Sequence, residues 1–501
     1  MNLNIPFVGV YFPLFKAVEI TAKRIFQDID ESKLSSNNNM KIKFGFDGSG
    51  SHAIYHQVNN VESNNMILSV FCPLSIENEI GETSWIQNSP NAPLSQRLVC
   101  LQMGKESVDA LKSLEVFNDD ITKLKDEGFM ITKNSTDYQI NVEIQSYMMD
   151  MKAAHLYLGT GGAYCDHCSV SKNECLDLDK IEAGFYIDRA VESLCNIFDD
   201  LQQEDGSILK QPKDYDVRGG VTSKPIPSKN HDVKSVQVLH ALLHTFDIFM
   251  KAAVHVKAGV YNWTESQSSA YKSEIQDVIK NSCGEKWDFV DQTGKGGTAT
   301  TGKTARKVLH DRNNREIVIN LMPEQFQEVF HRFGRDLSVI LRVLSSKKSV
   351  NVEKYKQFCT DFHKFLIMSF PRHVHKELPG PWISITPSLH KVLCHSWELI
   401  ELNDESGLGS LDESGLEGNN KLLRAIRTNL SRKSSQIANL RDTINRMWIG
   451  SDPIINRERS KALPFCKLCN ENGHSYRYCS KRKPCDIDID EDNQIFEFLT
   501  E

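Results

Sequence analysis

The amino-acid sequence predicts an α+β protein in which a mixed sheet precedes a large helical section. Three observations carry that reading. Short runs rich in β-branched and aromatic residues are confined to the N-terminal part of the chain. Longer runs with apolar residues at three- and four-residue steps fill most of the rest. No internal repeat of fixed period is visible.

Taken in order, KIKFGFDGSG (41–50) alternates lysine with apolar residues, the pattern of a strand with one wet face, and ends in Asp47 and a Gly-Ser-Gly turn. MILSVFCPL (66–74) reads as a second strand and RLVCLQM (97–103) as a third. Helical periodicity then dominates, over 235–256, 323–344, 352–370 and 421–448. Polar, Gly-rich stretches at 281–304 and 403–420 interrupt it.

At 501 residues the chain can bury more than one core, and about three domains is the expectation from length. Its 40% hydrophobic and 25% charged content is that of an ordinary globular protein. No apolar run reaches the roughly 18 residues of a membrane span, so no membrane partner is expected. The apolar IPFVGVYFPLF has no basic residue before it, carries Pro6 and Pro13 and runs into Lys16, which argues against a secretory signal. The 13 cysteines include Cys-x-x-Cys pairs, which in such a chain point to metal ligands or redox chemistry in a reducing compartment. A net charge of −7 argues against indiscriminate nucleic-acid binding. Basic residues nevertheless cluster from Lys421 to Lys483, ahead of the acidic DIDIDEDNQIFEFLTE.

The strongest local signal is CKLCNENGHSYRYC, which sets Cys466, Cys469, His474 and Cys479 in the zinc-knuckle spacing C-x2-C-x4-H-x4-C. Thiolates plus one imidazole suit tetrahedral Zn²⁺. Tyr476 and Tyr478, among Arg477, Lys481, Arg482 and Lys483, suit base stacking and phosphate contact. A second pair, Cys165 and Cys168 in GGAYCDHC, is half a site. His390 and His395 in SLHKVLCH have a permitted ligand spacing, and His240 and His244 in LHALLH are rivals on one helical face. Spacing does not choose between them.

GGTATTGKT (296–304) contains the phosphate-loop pattern from Gly297 through Gly302, Lys303 and Thr304. A true phosphate loop follows a buried strand, and EKWDFVDQTGK (285–295) offers none, so an ATPase is not expected. Among the 66 acidic residues, Asp47 at a strand end, Asp150 in SYMMDMKAA and Glu417 in SGLEGNNKLLRAIR are scattered. Glu417 precedes Lys421, Arg424 and Arg427 at three-residue steps on a helix. Carboxylates beside a basic face fit metal-assisted phosphodiester chemistry, and they equally fit an ordinary surface helix.

Taken together, these motifs resemble the catalytic subunit of the RAG recombinase of V(D)J recombination and the related Transib-type transposases. FDGSG, SYMMDMKAA, GGAYCDHC, VLHALLH, GGTATTGKTARK, PSLHKVLCHSWELIE and LEGNNKLLRAIRTNLSRKSS occur in the family's order across roughly residues 41–450. The resemblance implies an RNase H-like mixed sheet interrupted by a large helical zinc-binding insertion and followed by a C-terminal zinc knuckle. It implies a DDE triad of Asp47, Asp150 and Glu417 holding two Mg²⁺ or Mn²⁺ ions. It also implies that Cys165, Cys168, His390 and His395 close one structural zinc site, with Cys466, Cys469, His474 and Cys479 closing another. Lys303, Arg306, Lys421, Arg424 and Arg427 become DNA-contacting residues.

The division that follows is an N-terminal remnant (1–40), an RNase H-like core with the first two aspartates (41–158) and the Cys-pair region with its helical insertion (159–380). The His pair and the Glu417 helix (381–450), the knuckle (451–485) and an acidic tail (486–501) complete it. The implied activity is metal-dependent DNA strand nicking and transesterification in the nucleus. The implied partners are double-stranded DNA, a second copy of the chain and a RAG-like accessory subunit. Only 46 residues precede Asp47, fewer than the family's terminal-repeat-binding and dimerisation segments occupy. The alternative expectation is therefore a catalytically inactive, host-adopted, zinc-containing DNA-binding protein derived from a transposase.

Overall fold

The computed structural model describes residues 9–49, 65–168, 170–171, 174–177, 179, 190–202, 220–257, 265–288, 300–369, 385–404, 406–461, 495, 498 and 499. The chain forms two compact units. The first comprises Met1–Gly162, Asp188–Gln237 and Ser410–Lys483, and the second Ala163–Ile187, Val238–Gly409 and Pro484–Glu501. This division differs from the sequence reading: Asp188–Gln237, expected within the 159–380 insertion, falls in the first unit. Residues 1–40 belong to the same unit as the sheet, and the 381–450 stretch divides between Gly409 and Ser410.

The first unit is built on a seven-stranded mixed sheet of order β1-β5-β3-β2-β7-β6, with β4 paired to β3. The strands are β1 (Gly9–Tyr11), β2 (Asn37–Ser49), β3 (Met66–Asn78), β4 (Thr83–Ile86), β5 (Arg97–Met103), β6 (Phe129–Lys133) and β7 (Thr136–Met148). Sequence periodicity found β2, β3 and β5. It missed β6 and β7 because their turn is Asn134-Ser135, not the Asn-Gly that flags a hairpin. Both turn residues take positive φ, 46° and 67°, as a two-residue hairpin of this hand requires.

Central β2 runs antiparallel to β3 and parallel to β7. Side chains alternate across a strand, so Met40, Ile42, Phe44 and Phe46 enter one core. There they join Leu14, Val18, Ile25 and Phe26 of the Leu14–Phe26 helix and Ile121 and Leu124 of the Asn118–Asp126 helix. A second core lies on the opposite face. Met66, Leu68, Leu98, Leu101 and Met148 pack there with Leu416, Leu423 and Ile426 of the Ser414–Asn429 helix and Leu440 and Met447 of the Gln436–Gly450 helix.

The lysine face of β2 is therefore not wet as its alternation suggested. Lys43 is fully buried, and its Nζ donates to Asn91 Oδ1 (2.6 Å) and to the carbonyls of Ser410 (3.0 Å) and Asp412 (2.8 Å). Gly45 is needed where β2 meets β7, since a Cβ there would lie 2.0 Å from the Met148 carbonyl oxygen.

The second unit is helical in its described part. Its long helices are Val238–Lys257, Glu265–Cys283, Glu324–Leu344 and Val352–Ser369, with shorter ones at Gly302–Leu309, Arg312–Ile319, Pro387–Cys394 and Ser396–Glu401. Phe249 packs its ring against Phe330 and Phe333, with centroids 5.7 and 5.2 Å away. The Phe-rich helical periodicity thus closes a core. No described helix is long and apolar enough to cross a membrane.

Candidate active site and metal centre

In the first unit the parallel register of β2 and β7 brings two of the singled-out carboxylates to one end of the sheet. Gly45 pairs with Met148, and Asp47 and Asp150 each follow two residues later. Asp150 caps the Met151–Leu158 helix, its Oδ1 accepting from the Ala153 amide at 2.6 Å, which fixes the side chain's direction. Asp47 Oδ2 accepts from Asn420 Nδ2 at 2.6 Å. Asn420 lies on the Ser414–Asn429 helix three residues after Glu417. Residues three apart are neighbours on a helix surface, so this bond brings the Glu417 face to Asp47. Glu417 lies in the first turn of that helix, where the helix dipole favours a carboxylate.

A fourth carboxylate, missed in the sequence, adjoins this end of the sheet. A Cβ on Gly48 would come within 3.1 Å of Glu106 Cβ, so Glu106 lies against the residue after Asp47. Its Oε2 accepts from Lys152 Nζ at 2.6 Å, and its Oε1 is buried with no hydrogen-bond partner. The bond to Glu106 raises the Lys152 ammonium above its usual pKa, and the charges of Asp150 and Asp47 add to this. Nothing in GKES distinguishes Glu106 among so many acids. Its position after β5 is visible only once the sheet is folded.

Carboxylate oxygens are the ligands a hard divalent cation takes, although no three of Asp47, Glu106, Asp150 and Glu417 have ligand atoms within 4.8 Å of one another in this structure. A buried oxygen without a donor beside two further aspartates is the kind of demand that such an ion meets.

The basic residues separate. Lys421 and Arg424 are exposed, but Arg427 is 2% exposed and bonds Asn439 Oδ1 at 3.2 Å. Burial pushes its guanidinium down to about 10. This corrects its assignment to a DNA-contacting face. A three-residue step falls about 60° short of a full turn, so two such steps carry Arg427 from the Lys421 face into the core.

In the second unit, Cys165, Cys168, His390 and His395 are all buried, and one ligand atom from each lies within 4.8 Å of every other. Cys168 Sγ and His390 Nε2 are 3.4 Å apart, close to the roughly 3.5 Å edge of a tetrahedron with ordinary Zn–S and Zn–N bonds. His240 and His244 join no such cluster among the described residues.

What spacing left open is closed by packing. Asp166, between the cysteines, and Lys391, next to His390, form a buried ion pair at 2.7 Å that staples the sequence-distant halves together. His395 Nδ1 donates to Glu398 Oε2 at 2.8 Å, a partner that orients the ring. Burial opposes ionisation of Cys165, but bonds with Cys168 and His395 and the His395 charge hold its thiol well below the ordinary value. Burial pushes His390 down to about 3, leaving a neutral imidazole. A metal needs thiolate and neutral imidazole; burial opposes the charge on His395, but its bonds with Cys165 and Glu398 raise it to about 9, so that ring must give up a proton to bind a metal.

Lys303 and Arg306 are exposed on the Gly302–Leu309 helix, with Lys303 Nζ 2.6 Å from Glu285 Oε1. That helix is capped by Thr301, and no described strand runs into it. The 296–299 portion of the phosphate-loop pattern lies outside the described residues, as do Cys466, Cys469, His474 and Cys479.

Residues 40–163 match the family model of the recombination-activation protein 1 (RAG1) RNase H domain. This stretch of the chain is similar to the RAG1 RNase H domain. The RAG1-type match contains Asp47, Glu106 and Asp150 and the strands that carry them, whereas Glu417 and the Cys/His cluster lie beyond it. The mixed sheet with its flanking helices is the RNase H-like part of the chain. No curated protein matched the chain.

Proposed function

We propose that this RAG1-like protein is a DDE recombinase or transposase that nicks double-stranded DNA and transfers the strand end, with Asp47, Asp150 and Glu417 as the catalytic carboxylates. The observation that carries this reading is the shared register of Asp47 and Asp150 on β2 and β7, together with the Asn420 bond that ties the Glu417 helix to Asp47. Glu106, with its partnerless buried oxygen, joins them as a fourth acidic group.

These residues would hold two Mg²⁺ or Mn²⁺ ions, which in such reactions activate the attacking oxygen and stabilise the leaving one. The chain's own part is to orient them. The Asp150 cap and the Asn420 bond each hold one carboxylate in a single direction. Exposed Lys303, Arg306, Lys421 and Arg424 would meet backbone phosphates. The Cys165/Cys168/His390/His395 cluster would hold Zn²⁺ as a structural ion, and the C-terminal knuckle a second. A homodimer, an accessory subunit and a nuclear location belong to the same reading.

The test is metal-dependent nicking of plasmid DNA by the full chain and by Asp47→Asn, Asp150→Asn and Glu417→Gln. Each variant is expected to abolish nicking while leaving DNA binding and the melting temperature near wild type. Wild-type protein that binds DNA but never cleaves it would establish the binding-only alternative. A variant that cleaves undiminished removes its residue from the site.

A further inference from the structure

Asn420 is held in an unusual way. Its Nδ2 donates to Asp47 Oδ2 at 2.6 Å, while its Oδ1 is buried with no hydrogen-bond partner. Turning the amide over does not relieve this, because the carbonyl would then face a carboxylate, acceptor against acceptor. A buried carbonyl left without a donor costs about 1–3 kcal/mol. The residue lies on the helix that carries Glu417, one turn later, and its partner is the aspartate on the central strand.

We infer that Asn420 is a positioning residue of the carboxylate centre. Its Nδ2 holds one oxygen of Asp47 so that the carboxylate meets a divalent cation in one orientation, and its Oδ1 accepts a hydrogen bond from a water on that cation. This rests on the reading of Asp47, Asp150 and Glu417 as a metal centre. It goes beyond it by assigning a neutral side chain to the same chemistry. A cation-bound water is a strong donor and supplies what the buried carbonyl lacks. The bland rival is that Asn420 only docks its helix onto β2.

The experiment measures Mn²⁺ binding to the full chain without DNA, by loss of the free-ion paramagnetic resonance signal, alongside melting temperature. Asn420→Ala removes both polar atoms, and Asn420→Leu removes them while keeping the side chain's size. Both are expected to weaken Mn²⁺ binding roughly 10- to 100-fold, the usual cost of losing a partner of a metal ligand. The Mn²⁺ concentration for half-maximal nicking should rise in parallel, with kcat recovered at saturating Mn²⁺.

Wild-type Mn²⁺ affinity in the folded Asn420→Leu protein overturns the inference. So does loss of kcat that no Mn²⁺ concentration restores, since that is the mark of a misplaced helix. If wild type itself shows no Mn²⁺ binding that Asp47→Asn abolishes, the metal-centre reading falls and this inference falls with it.

Discussion

Gly45→Ala adds one methyl group to the centre of the sheet, yet it should be among the most damaging single changes in the first unit. A Cβ at Gly45 would lie 2.0 Å from the Met148 carbonyl oxygen and 2.5 Å from Met148 Cβ, where ordinary contact begins near 3.4 Å. The two strands must part by roughly an ångström, and overpacking of this kind costs about 1–3 kcal/mol. The functional cost should be larger. Asp47 and Asp150 each follow the Gly45–Met148 pair by two residues, so the displacement falls on the distance between the two carboxylates. A misplacement of about 1 Å at reacting groups can cost roughly 100-fold in rate.

We therefore expect Gly45→Ala to fold with a lowered melting temperature and to nick plasmid DNA about 100-fold more slowly, with every metal-ligating residue intact. The assay is nicking in Mn²⁺ beside a thermal melt of the same preparation. Destabilised protein that cleaves at the wild-type rate would refute the claim that the β2–β7 register sets the catalytic spacing. Unchanged stability and rate would refute the packing argument itself.

Two further outcomes follow from the buried groups. Cys168→Ala should lose one bound metal ion per chain and open the helical unit to protease while the sheet unit stays folded. A structural zinc contributes about 10–16 kcal/mol in small domains, as much as the 5–15 kcal/mol that holds a whole domain together; unchanged metal content and melting would refute this. Asp412 is raised to about 7 by burial and by its neighbour Glu413. The native state thus keeps a proton that the unfolded chain has already released above about pH 4. Stability should fall as pH rises from about 4 to 7, by at most about 1.4 kcal/mol per pH unit, and level off above. Asp412→Asn should remove that slope and be the more stable protein at pH 8, with the gap narrowing toward pH 5. Parallel stability curves from pH 5 to 8 would show that Asp412 keeps its ordinary pKa.

How much of this was legible in the sequence depends on how local the signal is. β5 is built around the apolar run LVCL and stands at its predicted bounds. The helix read over 421–448 is two helices, because SRKS at 431–434 breaks it and Ser435 caps the next. Asp47 was found because it ends a strand, and its neighbourhood was not, because Glu106 and Asn420 reach it only through tertiary packing. The Cys and His pairs were visible as pairs. Their union rests on the fold around Asp166 and Lys391, which no spacing rule encodes. Arg427 was misread for the opposite reason: a charge looks solvated in sequence, and only the packed helix shows which face it is on.

The placement of Glu417 raises a physical problem, since more than 260 residues separate it from Asp150 and closing so long a loop is entropically unfavourable. The first unit holds the returning chain on both sides of Glu417. Upstream, the buried Lys43 ammonium satisfies all three of its donors on Asn91, Ser410 and Asp412. Downstream, Asn420 bonds Asp47. Lys43 and Asp47 are four residues apart on one face of β2, so a single strand supplies both anchors and the carboxylate between which Glu417 must be presented. Leu416 and Leu423 meanwhile bury the other side of the helix in the core with Leu68 and Met148. The buried lysine is thus explained by geometry. The strand that carries Asp47 holds, four residues earlier, a cation that seizes the backbone leading to Glu417, and the apparent wet face of β2 is the surface on which that helix docks.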